Sequence, residues 1–197
     1  MPDRIRLDGK VAVVTGAAGI IGTATMQLLA ERGARIVAVD RRQADSQAAI
    51  KALPASAEAL AVAADVTQED EVADYVRAAV GKFGTIDVFY NNAGIEGEIK
   101  PNTEYPLETF RKVLDVNVVG VNCVCPGLID SRMLSAILDG RKTGNTPTPM
   151  DKIVDRIPAR RLGQGSEVAS IVAFLASDEA SYVTGAAYTV DGGRTAA

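Results

Sequence analysis

Gly16, Gly19 and Gly22 stand at three-residue intervals in the run TGAAGIIG, directly behind the apolar residues 11–14 and ahead of a helical pattern. That order suits the holding of a phosphate. A buried strand, a tight glycine turn and a helix N-terminus together aim free N–H groups and a positive dipole end at an anion. Asp40 ends the next apolar stretch about 20 residues on, where a carboxylate can accept both hydroxyls of an adenosine ribose. A dinucleotide pyrophosphate is the expected ligand, and the acid favours NAD over NADP. Arg41 and Arg42 follow at once, and either could cover an adenine or attract a 2′-phosphate. Asp65 and Asn91 also fall at strand ends, and open α/β sheets bind ligands beyond the carboxyl ends of their strands.

The elements that must position these residues alternate regularly. Residues 11–14, 34–39, 59–63 and 86–90 read as apolar strands. Between them lie a helix behind Gly22 carrying Met26, Leu28 and Leu29 and capped near Gly33, and a polar helix at 44–53. A third helix has Thr67 as its expected cap, acids in its first turn, and Val72, Val76, Val80 and Phe83 as a stripe assigned to the core. Pro106 and Leu107 open a helix with Phe110, Val113, Leu114, Asn117 and Val118 on one face. A strand at 121–125, a helix capped by Ser166 with Val168, Ile171, Val172 and Leu175 inward, and a strand at 186–190 complete the chain. Strands alternating with helices, without hairpin signals, predict an α/β fold: one domain over residues 1–197 with a doubly wound, parallel, Rossmann-like sheet. The proline-containing stretch 129–158, with a short helix near 133–138, reads equally as a substrate-covering segment or as a surface connection.

Composition narrows the function. A net charge of −4 and a pI near 5.0 leave no basic field for nucleic acid. No apolar run is long enough to cross a membrane and the N-terminus has no signal-like apolar core, so a cytoplasmic location is expected. With no histidine and only two cysteines, no metal site is expected. Cys123 and Cys125 share one strand face, a spacing that disfavours a disulfide, and are expected as buried core thiols.

Taken together, these motifs resemble the short-chain dehydrogenase/reductase family along essentially the whole chain. The resemblance implies that Gly16, Ala18, Gly19, Ile20, Ile21 and Gly22 form the cofactor loop, that Asp40 selects NAD with Arg41 beside it, and that Asp65 and Val66 contact adenine. The run Asn91 to Gly94 is similar to the family's fourth-strand motif and brings Asn92, Ala93 and Gly94 to the cofactor. Pro126 and Gly127 match its nicotinamide-side turn, with Ile129 facing the carboxamide and Ser131 as a nearby hydroxyl. Asn117 matches the family's catalytic helix asparagine. The implied reaction is hydride transfer between a small secondary alcohol and a ketone, in a homo-oligomer, dimer or tetramer.

Two departures stand out. Ile20 occupies the place of the commonest middle glycine, without changing the length of the turn. The larger departure follows Asn117, where the family carries a strand with a catalytic serine and a helix with tyrosine and lysine four apart. That interval, one βα unit of about fifty residues by mean element and connection lengths, is absent. The five tyrosines confirm it: position i+4 is Ala79, Gly94, Thr109, Ala186 and Gly192. A phenol of pKa about 10 donates a proton near neutrality only beside a cation that lowers it, and Tyr90 reads as a half-buried strand residue without one. Asn117 is the only catalytic counterpart. The strand at 121–125 is expected to become the new neighbour of the fourth strand, with the helix face at 110–118 uncovered. The alternative function is therefore a catalytically inactive dinucleotide-binding deletion variant.

Overall fold

The computed structural model describes residues 5–98, 104–117, 122–131, 134–135 and 150–196. In chain order the elements are β1 (Val11–Thr15), α1 (Ile20–Glu31), β2 (Arg35–Asp40), α2 (Gln43–Lys51), β3 (Ala59–Ala63), α3 (Glu69–Phe83), β4 (Val88–Tyr90), α4 (Leu107–Asn117), β5 (Cys123–Pro126), α5 (Met150–Val154), α6 (Gly165–Leu175), a 3₁₀ turn at Asp178–Ala180, and β6 (Ala187–Val190).

β1 is wholly buried, as the centre of a parallel sheet covered on both faces must be. Its side chains alternate between two cores. Ala12 and Val14 pack with Ile36 and Ala38 of β2 under Met26 and Leu29 of α1, while Val11 and Val13 pack with Val37 and Val39 against Tyr75, Ala79 and Phe83 of α3. The strand order is β3-β2-β1-β4, all parallel, with Val13 opposite both Val37 and Phe89. The expected parallel α/β architecture is therefore observed.

The second half differs from expectation in one respect that matters. β5 pairs in parallel with β6, not with β4, so a separate two-stranded sheet forms, and the other edge of β4 meets no strand among the described residues. Helix α6 explains the choice. It lies on α1, where Gly165 approaches so closely that a Cβ there would sit 3.1 Å from the Ile20 carbonyl oxygen. The same helix covers one side of the β5–β6 pair. Pairing with β6 thus gives β5 a complete ladder and an apolar cover at once. The expected joint at Gly120 lies outside the described residues.

Four local expectations are corrected. Val80 is 45% exposed, and α3 instead buries Tyr75, Ala79 and Phe83, the face offering two aromatic rings and a small residue for close approach. Thr67 does not cap α3; Gln68 is its N-cap, and the Thr67 hydroxyl donates to Asp65. Ser166 does not cap α6, because Gln164, two residues earlier, is the N-cap and its N–H donates to the Glu167 carboxylate at 2.8 Å. Cys123 is exposed and Cys125 half-buried, since both stand on the face of β5 away from α6. Of the stretch 129–158, α5 and a helical turn at residues 134–135 are seen, and residues 136–149 lie outside the described residues.

Candidate nucleotide-binding cleft

At the carboxyl end of β1 the chain turns through Gly16, whose φ of 62° favours glycine. The next constraint is steric. A Cβ on Gly22 would stand 2.3 Å from the Gly16 carbonyl oxygen, and one on Gly16 would stand 2.9 Å from the Ala93 Cα. The glycines are therefore required by the turn itself, which folds α1 back over its own entry. The Gly19 N–H donates to the Gly16 oxygen at 3.1 Å and the Ala17 N–H to Val39 at 3.1 Å. The N–H groups of Ile20 and Ile21, in the first turn of α1, have no protein acceptor among the described residues and line the cleft. Such a pair of free donors at a helix N-terminus fits a pyrophosphate.

Polar side chains fasten the neighbouring turns to this loop. The buried Thr15 hydroxyl accepts from the N–H groups of Asn92 and Ala93, both at 3.0 Å. Asn92 in turn donates through Nδ2 to the Thr15 carbonyl at 2.9 Å and the Gly16 carbonyl at 3.1 Å. The ends of β1 and β4 are thus tied to each other. Asp40 accepts from the Ala18 N–H at 3.0 Å and from the Arg41 N–H at 2.9 Å, which sets its carboxylate across the mouth of the loop. Ala18 and Gly22 shape the turn and do not line the cleft.

The cleft has a volume of about 490 Å³. Its wall runs from Gly16, Gly19, Ile20 and Ile21 past Asp40 and Arg41 to Asp65 and Val66, and returns through Asn92, Ala93 and Gly94 to Ser131. Twelve of the residues singled out from sequence thus surround one space. The Asp65 carboxyl is held below its ordinary range by the N–H and hydroxyl of Thr67, with Arg41 and Lys112 adding to the effect, so it is anionic at neutral pH. Lys112, Asp115 and Val116 of α4 also line the cleft, and sequence reasoning missed them. Their i, i+3, i+4 spacing, one helix face, was the available signal.

Other expected residues lie apart from this wall. Asn117 closes on the backbone of Ile95, accepting from its N–H at 3.0 Å and donating to its carbonyl at 3.1 Å. Pro126 and Gly127 end β5 against the final turn, where a Cβ on Gly127 would lie 2.7 Å from the Asp191 Cα. Ile129 bridges to Gly163 and buries its side chain against it. In such a bridge Leu128 and Asp130 bond to Gly163, so the N–H and carbonyl of Ile129 point to the opposite side. Ser131, which does belong to the wall, accepts at its hydroxyl from the Leu134 N–H at 3.2 Å. The Tyr90 phenol, pushed up to about 12 by burial, packs into the core and is no proton donor at neutrality.

A parallel sheet with a glycine turn opening a helix at its carboxyl edge defines a Rossmann-like nucleotide-binding protein. Comparison with known proteins agrees. The short chain dehydrogenase profile matches residues 10–131 and the enoyl-(acyl carrier protein) reductase profile of the same group matches residues 118–195. The chain belongs to the short-chain dehydrogenase/reductase family, oxidoreductases that act on CH–OH groups with nicotinamide cofactors. It is 28% identical to levodione reductase of Leifsonia aquatica, covering 98% of this chain and 96% of the relative. It is 32% identical to cis-4-hydroxycyclohexanecarboxylate dehydrogenase of Sinomonas cyclohexanicum, covering 95% and 97%. The crystal structure of levodione reductase superposes with a TM-score of 0.91 at 27% identity, covering 98% of this chain and 100% of that one. NAD+-bound xylitol dehydrogenase superposes with a TM-score of 0.87 at 26% identity, covering 95% and 99%. The levodione reductase alignment spans 257 positions against 197 residues here, so at least 60 positions face no residue of this chain.

Proposed function

We propose that this chain holds NAD in the 490 Å³ cleft, with NADP less favoured, and that the cleft serves interconversion of a small secondary alcohol and its ketone. The observation carrying this reading is Asp40, set at the mouth of the glycine turn by the Ala18 and Arg41 N–H groups. A carboxylate there accepts two ribose hydroxyls and repels a 2′-phosphate, and Arg41 is too close to Asp40 and Asp65 to reverse that preference. The free N–H groups of Ile20 and Ile21 meet the pyrophosphate, Asp65 and Val66 border the adenine, and Asn92, Ala93 and Gly94 lead towards the nicotinamide. Pro126, Gly127 and the outward N–H and carbonyl of Ile129 support its carboxamide. Held by these residues, NAD would supply hydride-transfer chemistry at its nicotinamide C4.

A second reading, a dinucleotide-binding protein without turnover, is favoured by a specific observation. No tyrosine has a lysine at i+4, and Asn117, the one catalytic counterpart, spends both ends of its amide on Ile95. We place the missing unit after Gly120, between β4 and β5, where the strand pairing is interrupted. A homo-oligomer, dimer or tetramer, formed through the surface at 166–190, and a cytoplasmic location suited to two free thiols complete the reading.

The tests separate binding from chemistry. Fluorescence titration should show NADH binding, and Asp40→Ala should weaken NADH by tenfold or more, about the worth of a charged hydrogen bond, and NADPH by less. Equal losses would remove the ribose assignment. For protein whose intact mass is near 20.6 kDa, absence of steady alcohol oxidation at neutral pH establishes the second reading, and turnover establishes the first.

A further inference from the structure

Cys123 and Cys125 lie side by side on β5 with their sulfurs 3.5 Å apart. Their face of the two-stranded sheet is open. Cys123 stands opposite Ala187 and Cys125 opposite Thr189 on β6, and both partners are small and exposed. Val124, Tyr188 and Val190 alternate to the half-buried side, where α6 packs. Among the described residues no bulky side chain stands between the two thiols, one exposed and one half-buried, so a reagent on that face meets both. The hydrogen bond they share raises the Cys125 thiol.

The spacing favours chelation over oxidation to a disulfide. A disulfide needs sulfurs about 2 Å and Cβ atoms about 3.8 Å apart, whereas side chains two residues apart on a strand are spaced about 6.6 Å along it. Closing that bond would break the ladder with β6. A thiophilic centre with bonds to sulfur of about 2.3 Å and tetrahedral angles sets its two sulfurs about 3.8 Å apart. The observed separation needs only a slightly narrower angle, which a pyramidal, three-coordinate centre supplies. Among the described residues no third metal-ligating side chain joins the pair, so the remaining valence must come with the ligand.

We propose that Cys123 and Cys125 form a dithiol clamp for a trivalent organoarsenical, both sulfurs binding one arsenic on the open face of β5. With an arsine oxide, two S–H bonds and the arsenic–oxygen bond break and two As–S bonds form. Water leaves with both protons, and arsenic stays trivalent throughout. The clamp is independent of the nucleotide cleft and holds whether or not the chain turns over.

Phenylarsine oxide added to the reduced, folded protein tests it by mass spectrometry. The expected result is one phenylarsenic per chain, stable to a monothiol wash, released by ethanedithiol, and protecting both cysteines from iodoacetamide. Cys123→Ser and Cys125→Ser, checked for native circular dichroism, should each lower apparent affinity on the order of 10²-fold, the loss expected when the second bond is no longer intramolecular. No adduct, two arsenics per chain, protection of only one cysteine, or a single variant that binds as the parent does would overturn the clamp.

Discussion

The two halves of this molecule solve the same packing problem with unequal success. In the first, β1 is flanked by β2 and β4 and covered on both faces, and every side chain from Val11 to Thr15 is buried. In the second, β5 has one neighbouring strand among the described residues, one covered face, and an exposed thiol beside a half-buried one. Helix α4, which stands between the halves, buries none of its side chains fully and leaves Leu107, Phe110 and Leu114 from 43% to 61% exposed. An apolar hollow of about 350 Å³ lies beside it, lined by Val72, Tyr75 and Phe89. A parallel sheet is stable when helices cover it and neighbours pair its edges, and among the described residues that cover is incomplete beside β4 and β5. The cleft belongs almost wholly to the first half, with α4 and Ser131 completing its wall.

The sharpest way to break this contrast is to make the same kind of change in both halves. Leu29→Ala, under the first sheet, should cost about 2–5 kcal/mol by chemical denaturation, as buried leucines do. Next in size is Gly22→Ala. Its Cβ would meet a backbone oxygen that cannot swing away, so a loss of about 1–3 kcal/mol and of most NADH affinity is expected. Retained binding with normal stability would show that the turn is not the phosphate site.

A smaller effect should appear at the start of α6. Arg161 and the Gln164 N–H hold the Glu167 carboxyl at about 2, below its ordinary 4.5. The stabilisation it gives is therefore complete above about pH 4.5 and lost as pH falls towards 2. Glu167→Gln should flatten that acid limb in a series of thermal melts and leave NADH binding at neutral pH unchanged. The smallest effect is expected from Leu114→Ala, within about 0.5 kcal/mol, because its side chain is already 43% exposed. A cost near that of Leu29→Ala would mean that α4 is covered in solution, and the contrast between the halves would fail.

Much of the cofactor half could be read from sequence because its signals are local. Gly16 to Gly22, Asp40 and Asp65 each follow a strand directly, so the order of elements alone brings them to one edge. Lys112, Asp115 and Val116 were missed because their helix is distant in sequence, and its position over the cleft depends on Asn117 bonding to Ile95. Cys123 and Cys125 were expected inside because cysteines on a short apolar strand usually are. Their exposure depends on which strands flank β5, which no local pattern carries. Val80 was placed in the core by periodicity alone, and the larger area of Tyr75 and Phe83 decided otherwise.

The sequence by itself determined the family, the alternating elements, the glycine turn with its acid, and the absence of a tyrosine–lysine pair. These are matters of residue type and spacing along the chain. Only the tertiary structure decided that β5 leaves β4 for β6, that α4 supplies a wall of the cleft, and that two thiols face outward 3.5 Å apart. Strand pairing and burial are settled by competition among surfaces far apart in sequence, and that competition takes place only once the chain has folded.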